Sequence, residues 1–388
     1  MDYARIALEK HKEWKGKLDI QAKMEIKDKD DLSTCYTPGV AAPCLEIKKD
    51  PKNSYVYTGR QNLVAVITDG SAVLGLGNIG PEAGMPVMEG KCALFKALAG
   101  VDAFPICLNT QDTDELVQII SALEPTFGGI NLEDIAAPRC FEVEKRLQEK
   151  MNIPVFHDDQ HGTAIVVCAA LINALKLVKK ENPTIVINGA GSAGCAIANL
   201  ILKMKLGNVI LCDRDGILDP NGELNSGWKA LIDRVNLEHK KGDLKEAMKG
   251  ADVFIGVSAA HVVTKEMVQS MNEKPIIFPM ANPTPEIEPD LALEAGAYIV
   301  GTGRSDHPNQ INNVLAFPGI FKGALSVQAT CINDKMKEAA VRAIASLIPD
   351  DQLTPENIIV SPLQEGVADV VSKAVSQAAI ESGVIRKW

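Results

Sequence analysis

The chain alternates short, continuously apolar runs with amphipathic ones. From Asn62, NLVAVITDG predicts a strand ending in a turn, GKCALFKALAG a helix stopped by Gly100, and VDAFPICL a second strand. DTDELVQIISAL then predicts a helix with Asp112 as its N-cap, FGGINLEDI a third strand, PRCFEVEKRLQEKM a helix and IPVF a fourth strand. Runs of this kind belong to strands buried on both faces, and their alternation with helices predicts βαβ units around a parallel sheet. HDDQHGTAIVVCAALINALKLVKK begins polar and becomes a long apolar helix, a bridge into a second series. That series opens at Thr184 with TIVINGAGSAG and the helix ANLILKMKL, and adds strands in NVILCD, ADVFIGVS, PIIFPMAN and AYIVGTG. The tail from Gly319 is Ala-rich and helical, and the first twenty residues form a short amphipathic helix.

In the second series, Gly189, Gly191 and Gly194 form G-A-G-S-A-G between the strand TIVIN and a helix. A lone G-x-G-x-x-G is weak; in this context it predicts a dinucleotide site. Glycines allow the tight turn and the close approach of a pyrophosphate, and the amides of Ser192, Ala193 and Gly194 open the helix towards it. Asp213 ends the next strand at the spacing of an acid that accepts from the adenosine ribose. It favours NAD, while the adjacent Arg214 leaves NADP possible. The fold expected is therefore α/β with two domains. Residues 1–160 form a parallel α/β substrate domain. Residues 161–388 form a doubly wound Rossmann-type NAD(P) domain with a helical C-terminal tail packing back on the first.

Glu133 and Asp134 end one strand of the first series, and Asp158 and Asp159 follow the next. In a parallel sheet these ends share one edge, so both acid pairs meet in one cleft. Clustered carboxylates repel, and a hard divalent cation relieves them; oxygen ligands favour Mg2+ or Mn2+. His157 and His161 raise zinc as an alternative, weakened by the lack of a nearby cysteine or third histidine.

Composition narrows the partners. A length of 388 residues suits two domains, and aromatics at 4% leave the packing to aliphatic side chains. A net charge of −10 argues against nucleic acid. Nine cysteines without a C-x-x-C pair point to reduced thiols and a cytoplasmic setting. The N-terminus lacks the apolar core of a signal peptide, and no uninterrupted apolar stretch approaches eighteen residues, so no membrane association is expected.

Taken together, STCYTPGVA, VITDGSAVLGLGNIGPEAGMPVMEGK, NLEDI, FHDDQHGTA, the glycine loop, ANPTPEI and NQINNVLAFPGI resemble malic enzymes of the short bacterial type over nearly the whole chain. The resemblance implies oxidative decarboxylation of malate to pyruvate and carbon dioxide, with NAD or NADP reduced, a divalent metal and a homodimer. It implies Tyr36 and Lys91 as catalytic groups, Asp158 supporting the lysine, and Glu133, Asp134 and Asp159 as metal ligands. Asn282 would contact substrate and cofactor, and Asn312 substrate. Larger relatives carry an arginine after TDG that holds a malate carboxylate; here Ala72 stands there, which leaves Ser71, Asn312, Asn313 or another arginine for that task. Lys91 is expected at a helix start, where the dipole would lower its pKa. Two alternatives stay open: a malolactic enzyme on the same scaffold and a metal-independent two-domain dehydrogenase.

Overall fold

The computed structural model describes residues 2–387. Two sheets organise them. The first contains β1 (Leu63–Thr68), β2 (Asp102–Cys107), β3 (Gly129–Leu132) and β4 (Val155–His157), all parallel, in the order β2-β1-β3-β4. The second contains β5 (Thr184–Asn188), β6 (Asn208–Asp213), β7 (Gly216–Ile217), β8 (Val253–Gly256), β9 (Ile276–Pro279) and β10 (Ile299–Val300), in the order β10-β9-β8-β5-β6-β7. Only the two-residue β7 is antiparallel, a hairpin edge too short to leave a periodic signal.

The central strands are buried because their apolar runs face helices on both sides. Val64 to Ile67 are fully covered, as are Ile185 to Ile187. Pro105 lies in β2, at the sheet edge, where a missing N–H is tolerated. Register carries the acids to a common edge: Ile67 pairs with Leu132, and Leu132 with His157, so Asp69, Glu133 and Asp158 leave their strands at neighbouring points. In the second sheet β5 lies between β6 and β8, so the chain departs in opposite directions on either side of it. That reversal opens a crevice above Asn188.

The bridge helix Asp158–Val178 runs from the first sheet into the second unit. It is long and apolar enough to cross a bilayer, yet it is a core element, packed against the helices Ser192–Met204 and Asp334–Ala345. The C-terminal helix Phe317–Ser326 packs back on the helix Pro81–Ala99. Phe95 meets Phe317 and Phe321 edge-on at 4.7 and 5.4 Å, and Phe156 meets Phe321 at 5.9 Å. With so few aromatics, this cluster concentrates them at the seam, beside the acid-bearing strand ends. By contrast, the helices Tyr3–Trp14, Lys29–Cys35 and Ala41–Lys49 bury no residue and leave Tyr3, Leu8, Trp14 and Leu45 exposed.

Candidate active site

Lys91 stands in the middle of the helix Pro81–Ala99, not at a helix start as the sequence suggested. Pro81 opens that helix at a position where its missing N–H is harmless, and Gly84, Pro86 and Gly90 disguise the first three turns as a loop. The electrostatic consequence is opposite to the expected one. The buried ammonium is 2.5 Å from Asp158 and 2.9 Å from Glu133, and 4.1 Å from the ring centre of Phe317. Burial pulls its pKa down, but the two carboxylates outweigh it and hold Lys91 protonated, well above the usual lysine range.

The same burial acts on the acids. It pushes Glu133 and Asp158 up to about 7 and Asp159 to about 6, against the pull of Lys91. Carboxylate oxygens of Glu133, Asp134 and Asp159 lie within 4.8 Å of one another. The Asn131 side-chain amide steadies Glu133 by donating a hydrogen bond of 2.9 Å. Asp134 has a left-handed backbone (φ 55°), a conformation Asp tolerates better than most residues, and its N–H donates to Asp159 at 2.7 Å. Three carboxylate donors facing one another, two buried and Asp159 half-buried, with one lysine beside them, fit a hard divalent cation.

The remaining residues divide between this cage and its surroundings. The side-chain amide of Asn313 donates to Asp158 at 2.5 Å, placing it in the lysine cluster. Asn312 accepts the Val314 N–H at 3.0 Å and turns the chain there. The Ser71 hydroxyl donates to buried Asp69 (2.5 Å) and accepts from Arg139 (2.9 Å) and the Ala136 N–H (2.8 Å). Its one donor and two acceptor sites are thereby filled. Arg139 also pairs with Asp69 at 2.7 Å. The Tyr36 side chain is two-thirds exposed after the helix Lys29–Cys35, and its hydroxyl makes no hydrogen bond among the described residues. His161 is occupied by Glu144 and Lys337. His157 is wholly buried, with Nδ1 3.7 Å from Asp159, and burial depresses its pKa to about 4.

Two residues of this region escaped the sequence reading. Phe317 lies under the lysine, with only its place in LAFPGI to mark it. Gly162, inside the bridge helix, was visible as a glycine within an apolar helical pattern. A Cβ there would come within 1.8 Å of Asp158 Oδ1, so only glycine leaves room for that carboxylate.

The dinucleotide crevice is an open cleft of about 950 Å³ bordered by Gly189, Ala190, Gly191, Asp213 and Trp228. Gly189 has φ +109°, and a Cβ on Gly194 would meet the Gly189 carbonyl at 1.9 Å. The loop thus needs glycine at both points. The helix Ser192–Met204 begins at Gly191 without a side-chain cap, which leaves its first amides for a ligand. The Trp228 indole fixes the loop by donating to the Ala190 carbonyl at 2.6 Å. Asp213 accepts the Asp215 N–H at 2.8 Å, and Arg214 is turned to solvent near Asp215. On the far side, buried Glu286 accepts from the Ser258 and Ala281 amides, holding the loop that carries exposed Asn282. The Asn282 carbonyl would lie 2.2 Å from a Cβ on Gly75, so the two units touch closely here.

A dinucleotide-type crevice in one unit and a lysine–carboxylate cage in the other define a dehydrogenase whose acids fit a metal. Comparison with known proteins specifies which. Residues 15–148 match the family described as malic enzyme, N-terminal domain, and residues 160–382 the malic enzyme NAD binding domain. The chain belongs to the malic enzyme family. It is 57% identical to the bifunctional malic/malolactic enzyme of Bacillus subtilis, over 98% of this chain and 94% of that one. It is 53% identical to the NAD-dependent malic enzyme of Geobacillus stearothermophilus, over 96% and 78%. Among solved structures, the NAD-dependent malic enzyme of Thermotoga maritima superposes with a TM-score of 0.92 at 51% identity, over 95% of this chain and 98% of that one.

Proposed function

We propose that this chain oxidises (S)-malate and decarboxylates it to pyruvate, with Lys91 as the proton acceptor, Asp158 and Asn313 orienting it, and Glu133, Asp134 and Asp159 holding Mg2+ or Mn2+. The observation that carries the reading is the buried contact of Lys91 with Glu133 and Asp158 beside the third acid, Asp159. Lys91 takes the 2-hydroxyl proton, and a dinucleotide held along Gly189 to Gly194 would supply the acceptor for the hydride of C2. The C3–C4 bond then breaks, carbon dioxide departs, and its electron pair remains as an enolate. A dication held by Glu133, Asp134 and Asp159 would supply Lewis-acid polarisation at the substrate's oxygen, and by occupying those acids it would lower their hold on the Lys91 proton, towards the pKa a base needs. Tyr36 supplies the proton to C3. Asn312 and Asn282 contact the substrate, Asn282 from the cofactor side. Ser71 serves the site by fixing Asp69 and Arg139 rather than by binding a carboxylate of malate.

The dinucleotide lies along Gly189 to Gly194, with Asp213 on the adenosine ribose and NAD preferred, because a carboxylate there repels a 2′-phosphate. The exposed apolar N-terminal face, which includes Tyr36, packs on a second copy to make a homodimer. Nine free thiols suit the cytoplasm.

Initial rates with malate, Mn2+ and either cofactor test the function. Reduced cofactor and pyruvate are expected in equal amounts, faster with NAD. Lactate without net reduction would establish the malolactic alternative, and activity surviving a chelator the metal-independent one. The raised pKa values give a pH test. Glu133 and Asp159 retain protons up to about 7 and 6, and a cation must displace them. Mn2+ affinity measured by titration calorimetry is therefore expected to strengthen from about pH 5.5 to about pH 7.5. Affinity that is flat across that range would contradict the assignment.

A further inference from the structure

Behind the cage lies a second buried cluster that the reaction does not use. Glu144, on the helix Arg139–Lys150, is 6% exposed and accepts four hydrogen bonds. They come from the His157 backbone N–H (3.0 Å), Gln148 (3.2 Å), Gln160 (3.2 Å) and His161 Nε2 (3.0 Å). Four donors fill the capacity of one carboxylate. Lys337, from the C-terminal helix Asp334–Ala345, stands 3.2 Å from His161 Nδ1. An ammonium can only donate there, so His161 is the neutral tautomer that donates Nε2–H to Glu144. The charges of Glu144 and Lys337 thus balance across one imidazole. Although burial would raise it, the hydrogen bond from His161 and the charge of Lys337 hold Glu144 below the usual carboxylate range, and it stays ionised.

Three of the four donors, at 157, 160 and 161, bracket Asp158 and Asp159. The bridge helix has no side-chain cap of its own at His157. Its first turn carries one acid for Lys91 and one for the cage, and those two must point in different directions. Glu144 supplies what the N-terminus lacks: an acceptor for a leading amide and a negative charge at the positive end of the dipole.

We propose that Glu144 is a positioning residue for metal binding, setting the pitch of the first turn of the bridge helix so that Asp159 faces Glu133 and Asp134 while Asp158 faces Lys91. Lys337 extends this control to the C-terminal helices. The inference rests on the reading of Glu133, Asp134 and Asp159 as the metal site.

The test is direct Mn2+ binding without substrate, by calorimetry or by the EPR signal of free Mn2+, on the full-length chain. Glu144→Gln keeps the size of the side chain but turns an amide donor towards groups that already donate. Its Mn2+ dissociation constant is expected to rise about tenfold, the scale of losses when partners of metal ligands are removed. NAD affinity, read from Trp228 fluorescence, is expected to stay within about twofold, because the glycine loop is built elsewhere. Lys337→Met, which leaves Glu144 and its amide bond intact, is expected to weaken Mn2+ severalfold and carries the test if Glu144→Gln fails to fold. A variant that melts earlier but binds Mn2+ as tightly as the natural chain shows a purely structural role and overturns the proposal. Failure of the natural chain to bind Mn2+ would instead overturn the metal-site reading on which it rests.

Discussion

Lys91→Ala is expected to lower kcat for malate oxidation by about a thousandfold, within the usual range for losing a positioned proton acceptor. Among the described residues no other amine pairs with Asp158 or Glu133 to replace it. The loss falls on kcat more than on cofactor affinity, since Gly189, Gly194 and Trp228 belong to other elements. Mn2+ binding should survive the change, because removing an ammonium from among carboxylates leaves them more attractive to a cation. Single-turnover measurement of NADH formation at saturating malate, beside an Mn2+ titration, separates the two effects. Turnover within tenfold of the natural chain would remove Lys91 from the chemistry.

Asp159→Asn weakens Mn2+ by about a hundredfold or more, and kcat at low metal falls with it. The neutral amide removes one of three clustered anionic donors, and the Asp134 N–H loses the charged acceptor it meets at 2.7 Å. Raising Mn2+ to millimolar concentration restores part of the rate, which a folding defect would not allow. A metal titration unchanged from the natural chain would exclude Asp159 from the cage. Stripping the natural chain with a chelator should reproduce the loss, and added Mn2+ should reverse it.

The parallel strands were legible because burial on both faces writes them as continuous apolar runs. The same logic placed Glu133, Asp134, Asp158 and Asp159 on one edge, which the register from Ile67 through Leu132 to His157 bears out. Lys91 was legible as a candidate, but its environment was not. Its helix begins ten residues earlier, behind two prolines and two glycines that mimic a turn, so the expected fall in pKa gave way to a rise. The partners of His161 were out of reach for a different reason. Glu144 and Lys337 lie on separate helices, and no local spacing encodes a contact that only tertiary packing makes. Ser71 shows a third limit: sequence places a hydroxyl near the site but cannot count the bonds already spent on it.

Gly162 has an outcome for how such a chain can be improved. A glycine inside a helix weakens it by about 1 kcal/mol relative to alanine, so a search guided by heat resistance alone would favour the added methyl. Here that methyl would occupy the space of the Asp158 carboxylate and prise it from Lys91. The looseness of the turn is thus inseparable from the ion pair it makes room for, and robustness has to be sought elsewhere in the molecule.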